Sequence, residues 1–167
     1  MKRLFVPVLA LAALALTTWP VLADDAANQA LAKRFYTEFN AGNFDALSEF
    51  IAPDIIDHTA AAGAPTGLES MKTEMQGFAK AFSDMKITND MFLVSGDYVT
   101  VISTATGTND GMMMDMPATN KPVDFKAIDV WLVRDGKLAE VWHVEQLLQM
   151  MTQMGAMKPP AASDAAK

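Results

Sequence analysis

The side chains best suited to proton-transfer chemistry in this sequence are its 2 histidines and the polar residues beside them. His58 lies in the stretch DIIDHT, and His143 lies in EVWHVEQ, where Glu145 and Gln146 follow it. An imidazole or a partly buried carboxyl can exchange a proton near neutral pH, whereas the amide of Gln146 can only form hydrogen bonds. Asp57 would point to the opposite face from His58 in a regular strand, and we interpret it as a solvent-facing or loop-capping residue.

Strand alternation decides which of the residues around His143 share a face. Trp142, Val144 and Gln146 would lie together on one face of a regular strand. His143 and Glu145 would lie on the other. A β-bulge would reverse this arrangement, and bulges are common beside active sites. Without one, Glu145 and His143 are expected on the outer face of the sheet, away from any catalytic pocket.

The turn VRDGK decides which residues of the preceding strand join the tryptophan's face. A three-residue turn with its glycine in the left-handed conformation places Ile128, Val130 and Leu132 there, so that face would be aliphatic. A two-residue turn would instead place Asp129 beside Trp142. The residues alone leave both alternatives open.

Eight of the 13 methionines form two groups, Met112–Met116 in a loop and Met150–Met157 at helical spacing. Methionine fits irregular apolar surfaces, so the first group is interpreted as a flexible lid that brings Met113 and Met116 over a pocket. Thioethers also bind Cu(I), and copper binding is a further interpretation that depends on the two groups lying close together. The histidines lack the spacing of zinc ligands, and no metal or cofactor is predicted.

The elements that must position these residues follow from the hydrophobic period. Helical spacing predicts two helices before Pro53 and a third that opens with a capping box at Thr66 and Glu69. After Asp84 the period becomes strand-like, and the candidate strands are MKITNDMFLVS, YVTVISTATGT, VDFKAIDVWLVR and KLAEVWHVE. With the short strand DIIDHT, this order predicts an α+β fold whose helices lie on one face of a mainly antiparallel, curved sheet.

The chain ends and the composition limit the function classes. Residues 1–23 are predicted to be a secretory signal peptide, because Lys2 and Arg3 precede an apolar run that ends in small residues at Ala23. Residues 24–157 are predicted to form one domain, and 158–167 a disordered tail. The formal net charge of -7 argues against a nucleic-acid partner. With 0 cysteines the chain has no disulfides and no thiol chemistry.

Several local patterns occur in the order expected for one family. RFYTEFNAGNFDAL resembles an opening helix with a short second helix, and IIDHTAAAGAPTGLESMK resembles a strand with a histidine, a glycine-bearing loop and a third helix. MPATNKPVDFKAIDVWLVRDGKLAEVW resembles a closing hairpin, and QMMTQMG resembles a terminal helix. Together, over residues 30–155, they resemble the SnoaL-like polyketide cyclases, or ester cyclases, of the nuclear transport factor two-like superfamily.

The resemblance implies a cone-shaped barrel whose curved sheet wraps around the N-terminal helices and leaves a mostly apolar pocket at its mouth. It places Gln146 where the cyclases carry their working aspartate, and His58 near the pocket mouth. It favours the three-residue turn, and a dimer through the outer sheet face with Trp131, Val141 and His143 as candidate contacts. The residues then predicted to line the pocket are Trp142, Val144, Ile128, Val130, Leu132, Met113 and Met116.

The function predicted from these observations is that of a periplasmic or secreted protein with a pocket for a small apolar carbonyl compound. If the protein is an enzyme, His58 would act as acid and base and Gln146 would orient the carbonyl oxygen, as in aldol cyclisation or isomerisation, without a cofactor. The alternative is a non-catalytic small-molecule binding module of the same fold, because a glutamine replaces the usual acid. No membrane contact is expected after signal cleavage.

Overall fold

The computed structural model describes residues 25–113 and 115–158. The helices are α1 (Asp25–Asn40), α2 (Leu47–Phe50), which a 3-10 turn (Phe44–Ala46) precedes, α3 (Leu68–Ala81) and α4 (Leu147–Met154). The strands are β1 (Ile51–Asp57), β2 (Lys86–Ser95), β3 (Tyr98–Thr108), β4 (Pro122–Arg134) and β5 (Lys137–Glu145). The predicted signal peptide lies outside the described residues, as does the predicted tail except for Lys158. Within the described ranges, no helix has the length and apolar character needed to cross a membrane.

The two long helices form where apolar residues recur at helical spacing. In α1, Phe35 and Phe39, which are four residues apart, are buried against the sheet. Helix α3 also lies where it is predicted, but its N-cap residue is Gly67, and no side chain caps its first turn. The predicted capping box of Thr66 and Glu69 is therefore wrong, because Gly67, with φ at 86°, occupies the position before the first helical residue.

The five strands form one open, curved sheet in the order β1-β5-β4-β3-β2. β1 runs parallel to β5, and the other neighbouring strands are antiparallel. Helices α1 and α3 contact one face of this sheet, which we call the inner face. The α+β class and the mainly antiparallel sheet predicted from the sequence are confirmed.

The β4–β5 hairpin fixes which side chains of these strands point inward. Its turn is the two-residue Asp135–Gly136, and both residues are left-handed, with φ at 53° and 71°. That turn alone would pair Asp129 with Trp142, but Ala139 is an extra residue in β5 that shifts the pairing by one. Asp129 consequently lies opposite His143. The pairing favoured from the sequence is present, although a bulge rather than a three-residue turn produces it.

The two faces of the sheet differ in what covers them. The inner face and the helices enclose the hydrophobic core. Trp131 and Val141 are only 1% and 2% exposed and belong to that core. Both were candidates for an outer-face dimer contact, and this assignment is wrong because strand alternation turns them inward. The large apolar residues exposed on the outer face are Ile56, Met91, Leu93, Tyr98, Ile128 and Val144.

Candidate active site

A cavity of about 330 Å³ lies between the inner face of the sheet and helices α1 and α3. Its wall is mostly apolar, and no lysine or arginine of the described residues lines it. The aromatic side chains in the wall are Phe35, Tyr36, Phe39, Phe78, Phe125 and Trp131. The other polar side chains in the wall are Asp57, Glu74, Ser103, Asp129, His143 and Glu145.

Strand alternation and pairing bring four of these polar side chains together. Asp129 on β4 lies opposite His143 on β5, and Glu145 is two residues farther along the same face. Asp57, at the end of β1, pairs with Val141, two residues before His143. Three neighbouring strands therefore direct one imidazole and three carboxyl groups into the same cavity.

His143 lies between two carboxylates. Its Nδ1 is 2.7 Å from Glu145 Oε1, and its Nε2 is 3.0 Å from Asp57 Oδ2. The hydrogen bond with Glu145, together with that of Asp57, outweighs burial and raises the pKa of His143 to about 9. The ring is therefore a cation at neutral pH and donates both of its N–H groups to these carboxylates.

Asp57 is stabilised in its ionised form. Its Oδ1 accepts hydrogen bonds from the backbone N–H and the hydroxyl of Thr59, at 2.8 and 2.6 Å. Burial alone would raise the pKa of Asp57, but the bonds from Thr59 and His143 lower it below its usual range. The predicted loop-capping role is present in the bond to Thr59, but the residue also lines the cavity, which the sequence did not indicate.

Asp129 has a different environment. Its Oδ2 accepts a hydrogen bond from the Tyr36 hydroxyl at 2.7 Å, and the Tyr36 oxygen accepts one from Trp131 Nε1 at 3.2 Å. Burial raises the pKa of Asp129 to about 6, although the Tyr36 hydrogen bond opposes this shift. Burial also raises the pKa of Tyr36, which keeps its hydroxyl protonated. A carboxyl that titrates near neutral pH can both remove and return a proton.

Ser103 provides a hydroxyl group that has no hydrogen-bond partner among the described residues. It lies on β3 opposite Ala127, it is 0% exposed, and its Oγ is buried in the cavity wall. Asp129 is its diagonal neighbour across the β3–β4 pair, and such residues are about 7–8 Å apart. A ligand bound between these two residues could place a polar atom where it supplies the hydrogen bond that the Ser103 hydroxyl lacks.

The structure places His58 outside the cavity, on the outer face of the sheet. Its ring stacks on Trp142 with the ring centres 4.1 Å apart, and its Nε2 is 2.8 Å from Glu140 Oε2. The predicted location of His58 at the pocket mouth is wrong, because Asp57, the residue before it, takes the inward position. An acid-base role in this cavity therefore has no geometric support for His58.

Gln146 also lies outside the cavity. It follows β5 at the N-cap position of α4. Its side-chain Oε1 accepts a hydrogen bond from the Lys126 N–H at 3.0 Å, and its own N–H donates to the Lys126 carbonyl at 2.9 Å. Gln146 thus joins the end of β5 to β4, and the structure does not support its predicted role in orienting a carbonyl oxygen.

Five of the other predicted lining residues are misplaced for one reason, namely the choice of strand face. The sequence correctly groups them with the tryptophan, but that group projects from the outer face while its strand neighbours point inward. Met113 lies in the cavity wall, whereas Met116 pairs with it through backbone hydrogen bonds and does not line the cavity. The residues placed on the outer face are Ile128, Val130, Leu132, Trp142 and Val144.

The sequence analysis does not predict the inward-facing polar group, although the predicted strand pairing contains the signal for it. The favoured pairing already places Asp129, His143 and Glu145 on one face. The resemblance to the family assigns that face to the outside, because it places Gln146, on the opposite face, at the position of the working aspartate. Asp129 within the apolar run AIDVWLV was the residue that could have corrected this choice. Ser103 gave no signal, because only the burial of its hydroxyl distinguishes it.

Two sets of residues have donor atoms for a metal. Asp129, His143 and Glu145 place one ligand atom each within 4.8 Å of one another. Both nitrogens of His143 already bond to carboxylates, so a metal would have to displace a proton from a group with a pKa of about 9. The two methionine groups meet in one apolar cluster through Met113, Met116, Met150, Met151 and Met154, whereas Met112 and Met157 are exposed. The proximity on which the copper interpretation depends is therefore present, and copper binding stays a prediction.

Solved structures of known proteins share this fold. TsrD from Streptomyces laurentii is 27% identical, with a TM-score of 0.74 over 80% of this chain and 98% of its own. A candidate polyketide cyclase from Bacillus cereus ATCC 10987 is 32% identical, with a TM-score of 0.69 over 78% of this chain and 82% of its own. IdmH, a candidate polyketide cyclase from Streptomyces antibioticus, is 29% identical, with a TM-score of 0.68 over 77% of this chain and 98% of its own.

Comparison with family models gives a match that covers most of the described domain. No curated protein sequence matches the chain. The family model of the SnoaL-like polyketide cyclases matches residues 30–154, which include the inward-facing carboxyl groups, His143 and Ser103. The chain therefore belongs to the SnoaL-like polyketide cyclase family.

Proposed function

We propose that this protein catalyses cofactor-independent proton transfer next to the carbonyl group of a small apolar compound, with Asp129 as the acid and base. The observation that carries the proposal is the Asp129 carboxyl, which burial in an apolar cavity holds at a pKa of about 6, diagonal to the unpartnered hydroxyl of Ser103. Membership in a family of polyketide cyclases supports a cyclase or isomerase type of reaction.

The proposed step begins when Asp129 removes a proton from the carbon next to the carbonyl. Tyr36 bonds to Oδ2, which leaves Oδ1 to take the proton. The C–H electron pair forms a carbon–carbon double bond, and the carbonyl π electrons move to the oxygen, where the Ser103 hydroxyl donates a hydrogen bond. In isomerisation, Asp129 returns the proton to another carbon. In aldol closure, the enolate carbon attacks a second carbonyl group, and the proton goes to the new alkoxide.

His143 would act through its charge. Both of its N–H groups are donated to Glu145 and Asp57, so the ring does not deliver a proton to the substrate in this arrangement. Its positive charge lowers the pKa of Asp129 and so favours the carboxylate that must accept a proton. Asp129, Ser103 and His143 thereby replace the residues that the sequence indicated for these roles.

The test is hydrogen exchange at the carbon next to the carbonyl of 1-tetralone, a small apolar ketone, followed in D₂O by NMR. The mature protein is expected to accelerate the exchange, and Asp129→Asn should lower the rate by about 10²–10⁴-fold. Asp54→Asn is the matched control, because Asp54 is an exposed carboxyl on the same strand as Asp57 and outside the cavity wall. Unchanged exchange in Asp129→Asn would refute the assignment.

A non-catalytic binding module is the second candidate. It is favoured by the engagement of both N–H groups of His143, which leaves the imidazolium of the cavity without a free hydrogen to donate to a substrate. Saturable binding of 1-tetralone without faster exchange, in a folded protein, would support this candidate over catalysis.

We also propose that the protein is exported and acts in the periplasm as a homodimer. The basic and apolar sequence of residues 1–23 supports export, and the apolar outer face of the sheet supports the dimer. Mass spectrometry of the protein recovered from a periplasmic extract should show a chain that begins at Asp24. An intact N-terminus would contradict the signal peptide.

A further inference from the structure

The ionisable groups in the cavity wall do not balance in charge. Asp57, Glu74, Asp129 and Glu145 are carboxyl groups, and His143 is the one basic side chain among the described residues of the wall. Glu74 is exposed to solvent, and among the other three carboxyl groups the protonated His143 leaves two negative charges uncompensated, or one when Asp129 is also protonated. Because a partly buried charge that lacks a partner is unfavourable, this surplus disfavours an anionic ligand and favours a cationic one.

Aromatic rings surround the same space. Phe35, Tyr36, Phe78 and Trp131 all belong to the wall, and the Phe35 and Trp131 ring centres are 4.6 Å apart. The faces of aromatic rings attract ammonium groups, and this attraction strengthens in a site from which water is excluded. An apolar wall with aromatic rings and surplus carboxylates therefore has the two features that recognise an ammonium ion on an apolar body.

The unpartnered hydroxyl of Ser103 is an independent sign that the ligand also carries an uncharged polar atom. A buried hydroxyl without a hydrogen bond is uncommon and unfavourable in a protein interior. Ser103 is 0% exposed and lies in the cavity wall, so a ligand atom can complete its hydrogen bonding. A carbonyl oxygen at this position would be diagonal to Asp129, as the proposed proton transfer requires.

We propose that the ligand of this cavity is a small apolar carbonyl compound that carries a protonated amine, whose ammonium group is neutralised by the surplus carboxylates around Glu145 and Asp57. This inference rests on the proposed function, since it names the substrate class for the same cavity. Carboxylates and phosphates of similar size are excluded by the same charge.

A metal ion is a weaker candidate for the neutralising cation. A metal ligated by Asp129, His143 and Glu145 would need a nitrogen of His143 that now bonds to a carboxylate. An ammonium group leaves the hydrogen bonds of His143 intact and needs only the remaining carboxylate oxygens. The existing hydrogen-bond network therefore accommodates an amine at lower cost than a metal.

The experiment compares three molecules of the same shape and different charge at pH 7, namely 1-aminotetralin, 1-tetralone and tetralin-1-carboxylate. Binding to the mature protein is measured by calorimetry in buffer that contains EDTA. The amine should bind at least about tenfold more tightly than the ketone, and the carboxylate at least about tenfold more weakly. Glu145→Gln should reduce the amine-to-ketone ratio, whereas Asp54→Asn should leave it unchanged.

Each outcome decides between the two proposals. If the carboxylate binds as well as the amine, or the ketone as well as the amine, the amine inference is overturned. The exchange of 1-tetralone then still reports on the proposed function by itself. If none of the three molecules binds a protein that is folded by circular dichroism, both proposals fail. If protein prepared without EDTA retains zinc and shows no preference for the amine, a metal ion and not an ammonium group neutralises the carboxylates.

Discussion

At the residue scale, the cavity holds neighbouring carboxyl groups whose environments move their pKa values in opposite directions. Burial raises the pKa of Asp129, whereas hydrogen bonds from Thr59 and His143 outweigh burial and lower the pKa of Asp57. This divergence assigns different roles to chemically identical groups. Asp129 is able to exchange protons near neutral pH, while Asp57 remains a fixed negative charge that holds His143 in place.

The hydrogen bond from Tyr36 should tune the pH at which Asp129 works. It lowers the pKa of Asp129, so Tyr36→Phe should raise that pKa above about 6 and move the acid limb of the exchange rate to higher pH. The change also removes the acceptor of the Trp131 N–H, which should lower the free energy of unfolding by about 1–3 kcal/mol. The measurements are the pH–rate profile of 1-tetralone exchange and urea unfolding.

Tyr98→Phe is the matched control for this change, because Tyr98 is 47% exposed and lies on the outer face. It should alter neither the profile nor the stability. An acid limb that stays at the same pH in Tyr36→Phe would mean that the Tyr36 hydrogen bond does not set the pKa of Asp129.

The protonation of His143 should make the folded protein less stable at alkaline pH than at neutral pH. The pKa of His143 is raised from 6.5 to about 9 on folding, so its contribution is fully present below pH 6.5 and is lost as the pH rises through about 9. The midpoint of thermal unfolding should fall across this range in the wild-type protein. It should fall less in His143→Gln, because the variant lacks the imidazole. Equal slopes in the two proteins would contradict the assignment of a cationic ring.

At the element scale, the β4–β5 hairpin shows which part of the site the sequence could specify. Alternation and pairing place Asp129 opposite His143, and the structure has that pairing. The route differs, because Ala139 bulges and corrects a two-residue turn, and the sequence letters RDGK do not reveal a bulge beyond the turn. The predicted inward face is wrong, because the strand period defines two faces and does not identify the one that the helices cover.

The loop after β3 depends on a close approach that only glycine permits. A Cβ at Gly111 would lie 1.9 Å from the Lys80 carbonyl oxygen, and the Gly111 N–H bonds to the Ala81 carbonyl at 3.1 Å. Gly111→Ala should therefore lower the free energy of unfolding by about 3 kcal/mol and displace the loop that brings Met113 to the cavity wall. Urea unfolding and binding of 1-tetralone measure the two effects.

Gly77→Ala provides the control for that substitution. Gly77 lies within α3, and an added Cβ meets nothing within 4 Å, so alanine should stabilise the helix by up to about 1 kcal/mol. If the two variants change stability by the same amount and in the same direction, the close approach at Gly111 is not important for the loop.

At the scale of the whole molecule, the outer sheet face carries an apolar band that crosses four strands. Met91, Ile102, Ile128 and Val144 are consecutive cross-strand neighbours on β2, β3, β4 and β5. Met91 and Val144 are 49% and 62% exposed. A contiguous apolar band of this kind on a sheet face is typical of a protein interface, and a self-complementary face gives a two-fold dimer.

The resemblance to the family suggested a dimer from the sequence, but the contacts could not be chosen until the inward face was known. With that face assigned, Val144→Lys should place a charge within the proposed interface and convert the dimer to a monomer. Light scattering coupled to size-exclusion chromatography gives the mass of each species. Gln76→Lys adds the same charge to an exposed position of α3 and should remain dimeric.

The cavity is lined within a single chain, so the Val144→Lys monomer should still accelerate 1-tetralone exchange. A wild-type monomer at micromolar concentration would exclude this interface, whereas a monomeric variant that has lost exchange would show that dimerisation supports the inner face through the shared sheet.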